Sequence, residues 1–420
     1  MTTRLELREH DKRDDLPQET AKMVVAAVRG LDPHLRPRIS QVSYADGVVQ
    51  VKNLIGSVRM ADGSVLEVEP KVPAASTWPH AVVELLSENS RISVTGAQRS
   101  RQGTPRRDLT GVIAFEYARR LERALSKDGP LQVFERQRHL SRRLNGRLDV
   151  GAYTRNAWRD PILFPVQRDE LTVANDFARG LSLVSHAFRR SVVDSALSAR
   201  LLRLESKVMP GHPLPGHINP SAASRRMPAQ WANYRPAWDI AAAVLRNRSI
   251  INDPGHSIGL EVAVEPWPLL ETLLERSLRG VERASVGMVF GEKKKYPLLK
   301  MGDSVAGEVE PDGILRFGTG GVAATFEAKY TLPGTDPSHS HRYQALATAA
   351  ALHSPIAVLV YPGSEPPKIY DVQGFNGQPA QLATIGLDLY GYKRTSGAEN
   401  RASAIRSLLE AAASRRVRTP

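Results

Sequence analysis

The sequence predicts a mixed α/β protein with a β-rich N-terminal part, a helical middle segment and a C-terminal α/β domain. Short apolar stretches joined by the turn signals Asp46-Gly47 and Asp62-Gly63 indicate antiparallel hairpins near the N-terminus. The middle of the chain carries apolar residues at helical spacing. Near the C-terminus, Pro355–Pro362 (PIAVLVYP) is apolar almost throughout, which is typical of a strand buried on both faces of a sheet.

Residues 1–130 form the predicted N-terminal domain. Four short strands are expected between Ile39 and Val68, joined by the two hairpin turns. Helices are predicted over Asp15–Arg29, Pro79–Glu88 and Gly111–Lys127. The basic stretch Arg99–Asp108 is either a solvated loop or an arm that contacts DNA or a protein partner.

Residues 131–260 are predicted to connect the two outer domains. Leu131–Leu140 and Leu144–Val150 are expected to form a pair of strands. The pattern then becomes helical up to Ser206, with Asp169 as the expected N-cap and Gly180 as the expected break. A linker rich in proline and glycine follows.

Residues 261–420 are predicted to form a layered α/β domain. The order is a helix, a strand, two strands joined by the glycine turn Gly318–Gly321, a helix and the buried strand. The predicted elements are Trp267–Arg279, Val286–Phe290, the hairpin ending at Tyr330, His341–His353, Pro355–Pro362 and a last helix over Ala402–Ser414.

The composition is that of a globular protein, with 41% hydrophobic and 24% charged residues. No run approaches eighteen apolar residues and the N-terminus is charged, so we expect no membrane helix and no secretory signal. The lack of cysteine excludes disulfides and thiolate zinc sites and suits a cytoplasmic protein. The net charge of +13 indicates a polyanionic partner, or merely an arginine-rich coding bias.

The sharpest chemical pattern lies on the C-terminal hairpin. Alternate residues of a strand share a face, so Glu327 and Lys329 are expected to point the same way. The glycine turn can bring Asp312 beside Glu327. Two adjacent carboxylates are costly unless a cation lies between them, which predicts a hard divalent ion such as Mg²⁺. The lysine could then orient or deprotonate a water, or neutralise charge on a phosphate. The alternative is a surface aspartate beside an ordinary cross-strand Glu–Lys pair.

The pattern Pro311-Asp312 followed by Glu327-Ala328-Lys329 resembles the PD-(D/E)xK nuclease signature. The chain is also similar to the McrC family, the endonuclease subunit of modified-cytosine restriction systems. Four segments between Ile55 and Pro362 carry this likeness in the family's order. They are IGSVRMADGSVLEVEPKV, LNGRLDV, the hairpin with the signature and HRYQALATAAALHSPIAVLVYP.

The resemblance implies that Asp312 and Glu327 bind Mg²⁺ and that Lys329 helps to activate the attacking water. Glu271 matches an acidic residue that such nucleases often add to the metal shell, or it is an ordinary glutamate on a helix surface. Gln344 matches a supporting glutamine. In that motif a tyrosine often follows four positions later, whereas this chain has Thr348 there.

Lys293, Lys294 and Lys295 either clamp a DNA backbone near the site or form a solvated hairpin tip. The chain has no GxxxxGK[ST] loop, so we expect it to bind no nucleotide itself. The resemblance implies that the strand-rich N-terminal part docks onto an McrB-like AAA+ NTPase hexamer, which would use GTP or ATP, and stimulates its hydrolysis.

The expected function is therefore a Mg²⁺-dependent DNA endonuclease subunit of an McrBC-like restriction and phage-defence system. It would cut modified or foreign DNA together with the partner NTPase. One alternative is a non-catalytic, DNA-bound adaptor that only activates the NTPase. Another is a nuclease that works alone.

Overall fold

The computed structural model describes residues 4–31, 41–72, 78–86, 92–97, 109–192, 194–216, 220–246, 259–291, 293–332, 334, 336–373, 381–392 and 397–418. Its α-helices within this part of the chain are α1 (Gln18–Arg29), α2 (Trp78–Leu85), α3 (Leu109–Asp128), α4 (Val150–Asn156), α5 (Asp176–Ser191), α6 (Ser195–Val208), α7 (Arg235–Arg246), α8 (Trp267–Ala284), α9 (His339–Ala351) and α10 (Ala398–Arg418). The predicted arm or loop Arg99–Asp108 lies outside the described residues.

Strands are distributed over the same ranges, which confirms the predicted mixed α/β class. They are β1 (Arg4–Arg8), β2 (Lys12–Arg13), β3 (Val42–Ala45), β4 (Val48–Val51), β5 (Ile55–Arg59), β6 (Val65–Glu69), β7 (Ile92–Ala97), β8 (Val133–Ser141), β9 (Arg147–Leu148), β10 (Phe164–Thr172), β11 (Gly259–Val264), β12 (Met288–Phe290), β13 (Tyr296–Met301), β14 (Ser304–Val309), β15 (Gly313–Phe317), β16 (Val322–Ala328), β17 (Ile356–Pro362), β18 (Lys368–Asp371) and β19 (Gln381–Leu387).

The chain divides into two compact units. One consists mainly of Ile113–Glu261, and the other mainly of Thr2–Ser93 and Val262–Pro420. The predicted boundaries at residues 130 and 260 stay predictions, because a compact unit is not by itself a domain that folds alone.

The N-terminal hairpins form where the Asp-Gly turns predict them. Asp46 and Gly47 both have positive φ, as a two-residue hairpin turn requires, and they join β3 to β4. Asp62 accepts a hydrogen bond from the Ser64 backbone in the turn between β5 and β6. An additional strand, β1, pairs in parallel with β6. The apolar face of α1 packs on these strands, with Val24 and Val28 fully buried.

The middle unit differs from its prediction at Asp169. This residue lies in β10, opposite Arg136 of β8, and is not a helix cap. The helix begins later, where the side chain of Asn175 accepts a hydrogen bond from the Ala178 N–H. Gly180 is buried inside α5. The helical region is interrupted instead before Asp194, which caps α6.

The C-terminal sheet has the strand order β12-β15-β16-β17-β19-β18 and is mixed. β15 and β16 are antiparallel, whereas β16, β17 and β19 run in parallel. Every residue of β17 is buried, as its apolar run predicts. Helix α8 packs on β12, β15 and β16, and α9 packs on β16 and β17. Within the described residues, no helix is both long enough and apolar enough to cross a lipid bilayer.

Candidate active site

The hairpin β15–β16 places the two predicted metal carboxylates at the same level of the sheet. Gly313 pairs with Phe326, so the preceding Asp312 comes beside Glu327. A Cβ on Gly313 would overlap the end of the Leu278 side chain of α8, so a larger residue at this position would require Leu278 to shift. The Asp312 carboxylate accepts a hydrogen bond of 2.8 Å from the Ala328 N–H, which fixes it against β16.

Glu327 is almost completely buried, with 2% of its surface exposed. Its Oε1 accepts a hydrogen bond from the Thr348 hydroxyl at 3.0 Å, and its Oε2 accepts one from Gln344 Nε2 at 3.1 Å. Burial and then the neighbouring charge of Asp312 raise the pKa of Glu327 to about 7, although Lys329 and Thr348 act in the opposite direction. A surface Glu–Lys pair would not be buried in this way, so that alternative is wrong for Glu327.

Lys329 lies at the end of β16 with its ammonium group turned towards Glu327, as strand alternation predicts. Its Nζ is 3.3 Å from Glu327 Oε2 and donates to Gln344 Oε1 at 2.8 Å. Its backbone N–H donates to the Val360 carbonyl of β17. Gln344 thus bridges the lysine and the buried carboxylate, and holds both in one geometry.

Glu271 of α8 joins the site through a second lysine. Lys293 Nζ is 3.0 Å from Glu271 Oε2 and 3.4 Å from Asp312 Oδ1. Burial lowers the pKa of Lys293, whereas the carboxylate of Glu271 and then that of Asp312 raise it. The net result is a raised pKa. The ammonium group therefore lies between two of the carboxylates, where it offsets their negative charge.

The three neighbouring lysines each have a different neighbour in the protein. Lys294 Nζ lies 5.4 Å from the centre of the Tyr296 ring, and Lys295 forms an exposed ion pair of 3.6 Å with Glu308. Lys293 instead faces the site carboxylates. A joint contact of all three lysines with a DNA backbone stays a prediction, and the structure gives each a different protein neighbour.

The donor set fits Mg²⁺. Asp312 and Glu327 offer carboxylate oxygens, and Mg²⁺ is usually held by one or two carboxylates together with water and substrate phosphate. Among the described residues, no group of three or more histidine, aspartate or glutamate side chains stands in metal-binding geometry. The third carboxylate, Glu271, is engaged by Lys293.

The structure brings all five predicted catalytic residues, Glu271, Asp312, Glu327, Lys329 and Gln344, into one network. Two participants were not predicted for it. For Lys293 the sequence predicts a DNA contact or a solvated hairpin tip, and for Thr348 only a departure from the motif. Thr348 could have been found, because it lies four residues after Gln344 on α9 and therefore on the same helical face.

A family model described as "McrBC 5-methylcytosine restriction system component" matches residues 49–362, which include the hairpin, α9 and β17. The chain belongs to the McrBC family. This confirms the resemblance to the McrC family that the sequence segments indicated.

A solved structure shares the fold of this chain. A Thermococcus gammatolerans chain from a half-complex of McrB AAA+ hexamers with bound McrC has a TM-score of 0.59 and 14% identity to the present McrBC-family chain. The match covers 97% of this chain and 100% of that one. A second structure, of the T. gammatolerans McrBC complex, has a TM-score of 0.42 and 16% identity over 66% and 88% of the two chains. No curated protein matches.

Proposed function

We propose that this chain is the Mg²⁺-dependent DNA endonuclease subunit of an McrBC-type restriction system. The observation that carries the proposal is the buried Glu327 carboxylate, placed beside Asp312 and bonded to Lys329 and Gln344. Two carboxylates and a lysine in this arrangement suit hydrolysis of a phosphodiester, in which water adds to phosphorus and the bond to the leaving oxygen breaks.

Each residue of the site would have a separate role in the reaction. Asp312 and Glu327 would hold Mg²⁺, which when bound would act as a Lewis acid on the phosphate. Lys329 would orient the attacking water or neutralise charge that develops on the phosphoryl oxygens. Gln344 would keep the Lys329 ammonium directed into the site, because its amide oxygen accepts from that ammonium at 2.8 Å.

We also propose that the chain acts with an McrB-like AAA+ NTPase. Family membership supports this partner, and the structure of similar fold is one in which McrC is bound to McrB hexamers. The N-terminal sheet, which contains β1, β5 and β6, would be the docking part and would stimulate NTP hydrolysis. DNA is the proposed substrate in the cytoplasm, and the net charge of +13 suits a polyanion.

A cleavage assay with the chain, its partner NTPase, NTP and modified DNA tests this function. We expect cut DNA with Mg²⁺ present, none after EDTA, and recovery when Mg²⁺ is added back in excess. The NTPase rate is measured in the same tubes. Stimulated NTP hydrolysis without any cutting, with Mg²⁺ or Mn²⁺, would contradict the proposal and favour the non-catalytic adaptor. Full cutting by the isolated chain would contradict the need for a partner.

Mg²⁺ affinity is expected to depend on pH through Glu327. Its pKa of about 7 means that the carboxyl is largely protonated at pH 6 and largely ionised at pH 8. Metal binding requires the ionised form, so the apparent Mg²⁺ affinity should rise by about tenfold between these values. The measurement is the Mg²⁺ concentration that gives half of the maximal increase in Tm at each pH.

Glu327→Gln is the control, since it should lose most of the Mg²⁺ affinity and the pH dependence of that affinity. Equal affinities of the unaltered chain at pH 6 and pH 8 would contradict this prediction.

A further inference from the structure

Glu9 is a fully buried carboxylate that the proposed chemistry does not use. It follows β1 directly, and 0% of its surface is exposed. Its Oε1 accepts a hydrogen bond from the Asn53 N–H at 2.9 Å, and its Oε2 accepts one from the Lys71 N–H at 3.3 Å. The Lys71 ammonium lies 3.7 Å from Oε1. Two separate segments of the N-terminal region, at Asn53 and at Lys71, therefore converge on this side chain.

The next partner of Glu9 comes from the segment that follows β16. The Tyr330 hydroxyl donates to Glu9 Oε2 at 2.8 Å and lies 2.7 Å from the Tyr390 hydroxyl. The Lys71 ammonium also lies 4.4 Å from the centre of the Tyr330 ring, within the range of a cation–π contact. The side chain of Tyr330 is thus held both at its hydroxyl and on a ring face.

Tyr330 is the residue directly after Lys329. Its anchoring therefore acts on the backbone that carries the site lysine, while the Lys329 N–H is bonded to Val360 on the other side. A cavity of about 180 Å³ at Lys329 is lined by Ala328, Tyr330 and Asn53, among others. Asn53 is the same residue whose backbone N–H binds Glu9, so the N-terminal region also forms part of the wall beside the lysine.

Backbone strain occurs on both sides of the buried carboxylate. His10 and Asn53 are non-glycine residues with φ of 69° and 53°. Such conformations persist only where the surroundings determine them, and they are common near functional sites. The His10 N–H is bonded to the Val51 carbonyl, which ties this strained segment to β4.

We propose that Glu9 is a positioning residue for the cleavage reaction, and that it acts through Tyr330 on the placement of Lys329. The N-terminal sheet would then be part of the nuclease centre as well as the proposed docking part. This inference rests on the proposed function of Lys329. A catalytic group must be held to about 0.5 Å, and a displacement of about 1 Å can lower a rate by about 100-fold.

The chain offers a matched pair of variants for the test. Tyr330→Phe removes the hydroxyl that bonds both Glu9 and Tyr390, whereas Tyr390→Phe removes only the bond between the two tyrosines. With the partner NTPase and Mg²⁺, we expect Tyr330→Phe to lower kcat for DNA cleavage by about tenfold with an unchanged KM. Tyr390→Phe should stay within about twofold of the unaltered chain, and both should stimulate the NTPase normally.

Glu9→Gln provides a second, independent variant. It should also lower kcat, and combining it with Tyr330→Phe should cost no more than the larger single effect, because both changes act on the same contact. Equal kcat values for Tyr330→Phe and Tyr390→Phe, or a parallel loss of cleavage and NTPase stimulation in Tyr330→Phe, would overturn the proposal. Normal cutting by Lys329→Met in this assay would overturn the proposed role of Lys329 and this inference with it, whereas a lack of cutting by the unaltered chain would overturn the proposed function itself.

Discussion

Replacing Lys329 with methionine is expected to lower the rate of DNA cleavage by about 10²- to 10³-fold. The substitution keeps the length of the side chain and removes the ammonium group that lies 3.3 Å from Glu327 and 2.8 Å from Gln344. Loss of one preorganised electrostatic contact to a transition state typically has an effect of this size. The measurement is single-turnover cutting of modified DNA in the presence of the partner NTPase and saturating Mg²⁺.

Lys22→Met is the matched control for this variant. Lys22 is exposed on α1 and forms only a surface pair with Glu19 among the contacts that the described residues show for it. The Lys22→Met variant should cut DNA at the rate of the unaltered chain, since an exposed ion pair contributes little to stability. A Lys329→Met protein that cuts as fast as the control would show that the lysine has no part in the reaction.

Asp312→Asn is expected to reduce cleavage by about 10³-fold and to leave NTPase stimulation unchanged. The asparagine oxygen can still accept the hydrogen bond from the Ala328 N–H, so the hairpin should keep its shape. The negative charge that would hold Mg²⁺ is lost, and with it the charge stabilisation that a bound metal supplies. Cleavage and NTP hydrolysis are measured side by side on the same preparation.

This variant separates the two roles proposed for the chain. Asp303→Asn, in the exposed turn between β13 and β14, is the control for the change from carboxylate to amide. Unchanged cutting by Asp312→Asn would remove the metal assignment. Loss of NTPase stimulation together with cutting would instead show that Asp312 supports the fold, because the docking role is assigned to the N-terminal sheet.

Much of the fold could be predicted from the sequence where the pattern of apolar and polar residues shows which side chains are buried. The β15–β16 hairpin and β17 follow from a glycine turn and a continuous apolar run, and both are observed. The hairpin β13–β14 was missed because most of its residues are exposed on both faces, so no alternation marks it. The sequence predicts a helix from Asp169 onward, where the structure has the last residues of β10, because Asp169 resembles an N-cap.

The candidate site was predictable to the extent that its residues are close in sequence. Asp312, Glu327 and Lys329 lie on one hairpin, where strand geometry fixes their relation. The approach of Lys293 to Glu271 and Asp312 depends on the path of a connecting segment, which no periodicity encodes. The contact of Glu9 with Tyr330 depends on the tertiary fold as a whole, and the sequence carried no local signal for it.

The hydrogen bond between Glu9 and Tyr330 joins residues that are 321 positions apart. This separation has a consequence for the order in which the protein folds during its synthesis. Glu9 leaves the ribosome well before Tyr330, and β1 can pair with β6 as soon as β6 has emerged. Tyr330 emerges only after these strands have been made. The hairpin that carries Lys329 therefore docks onto a sheet assembled earlier. A chain lacking its first nine residues would still make that hairpin, but the Tyr330 hydroxyl would lack its carboxylate acceptor.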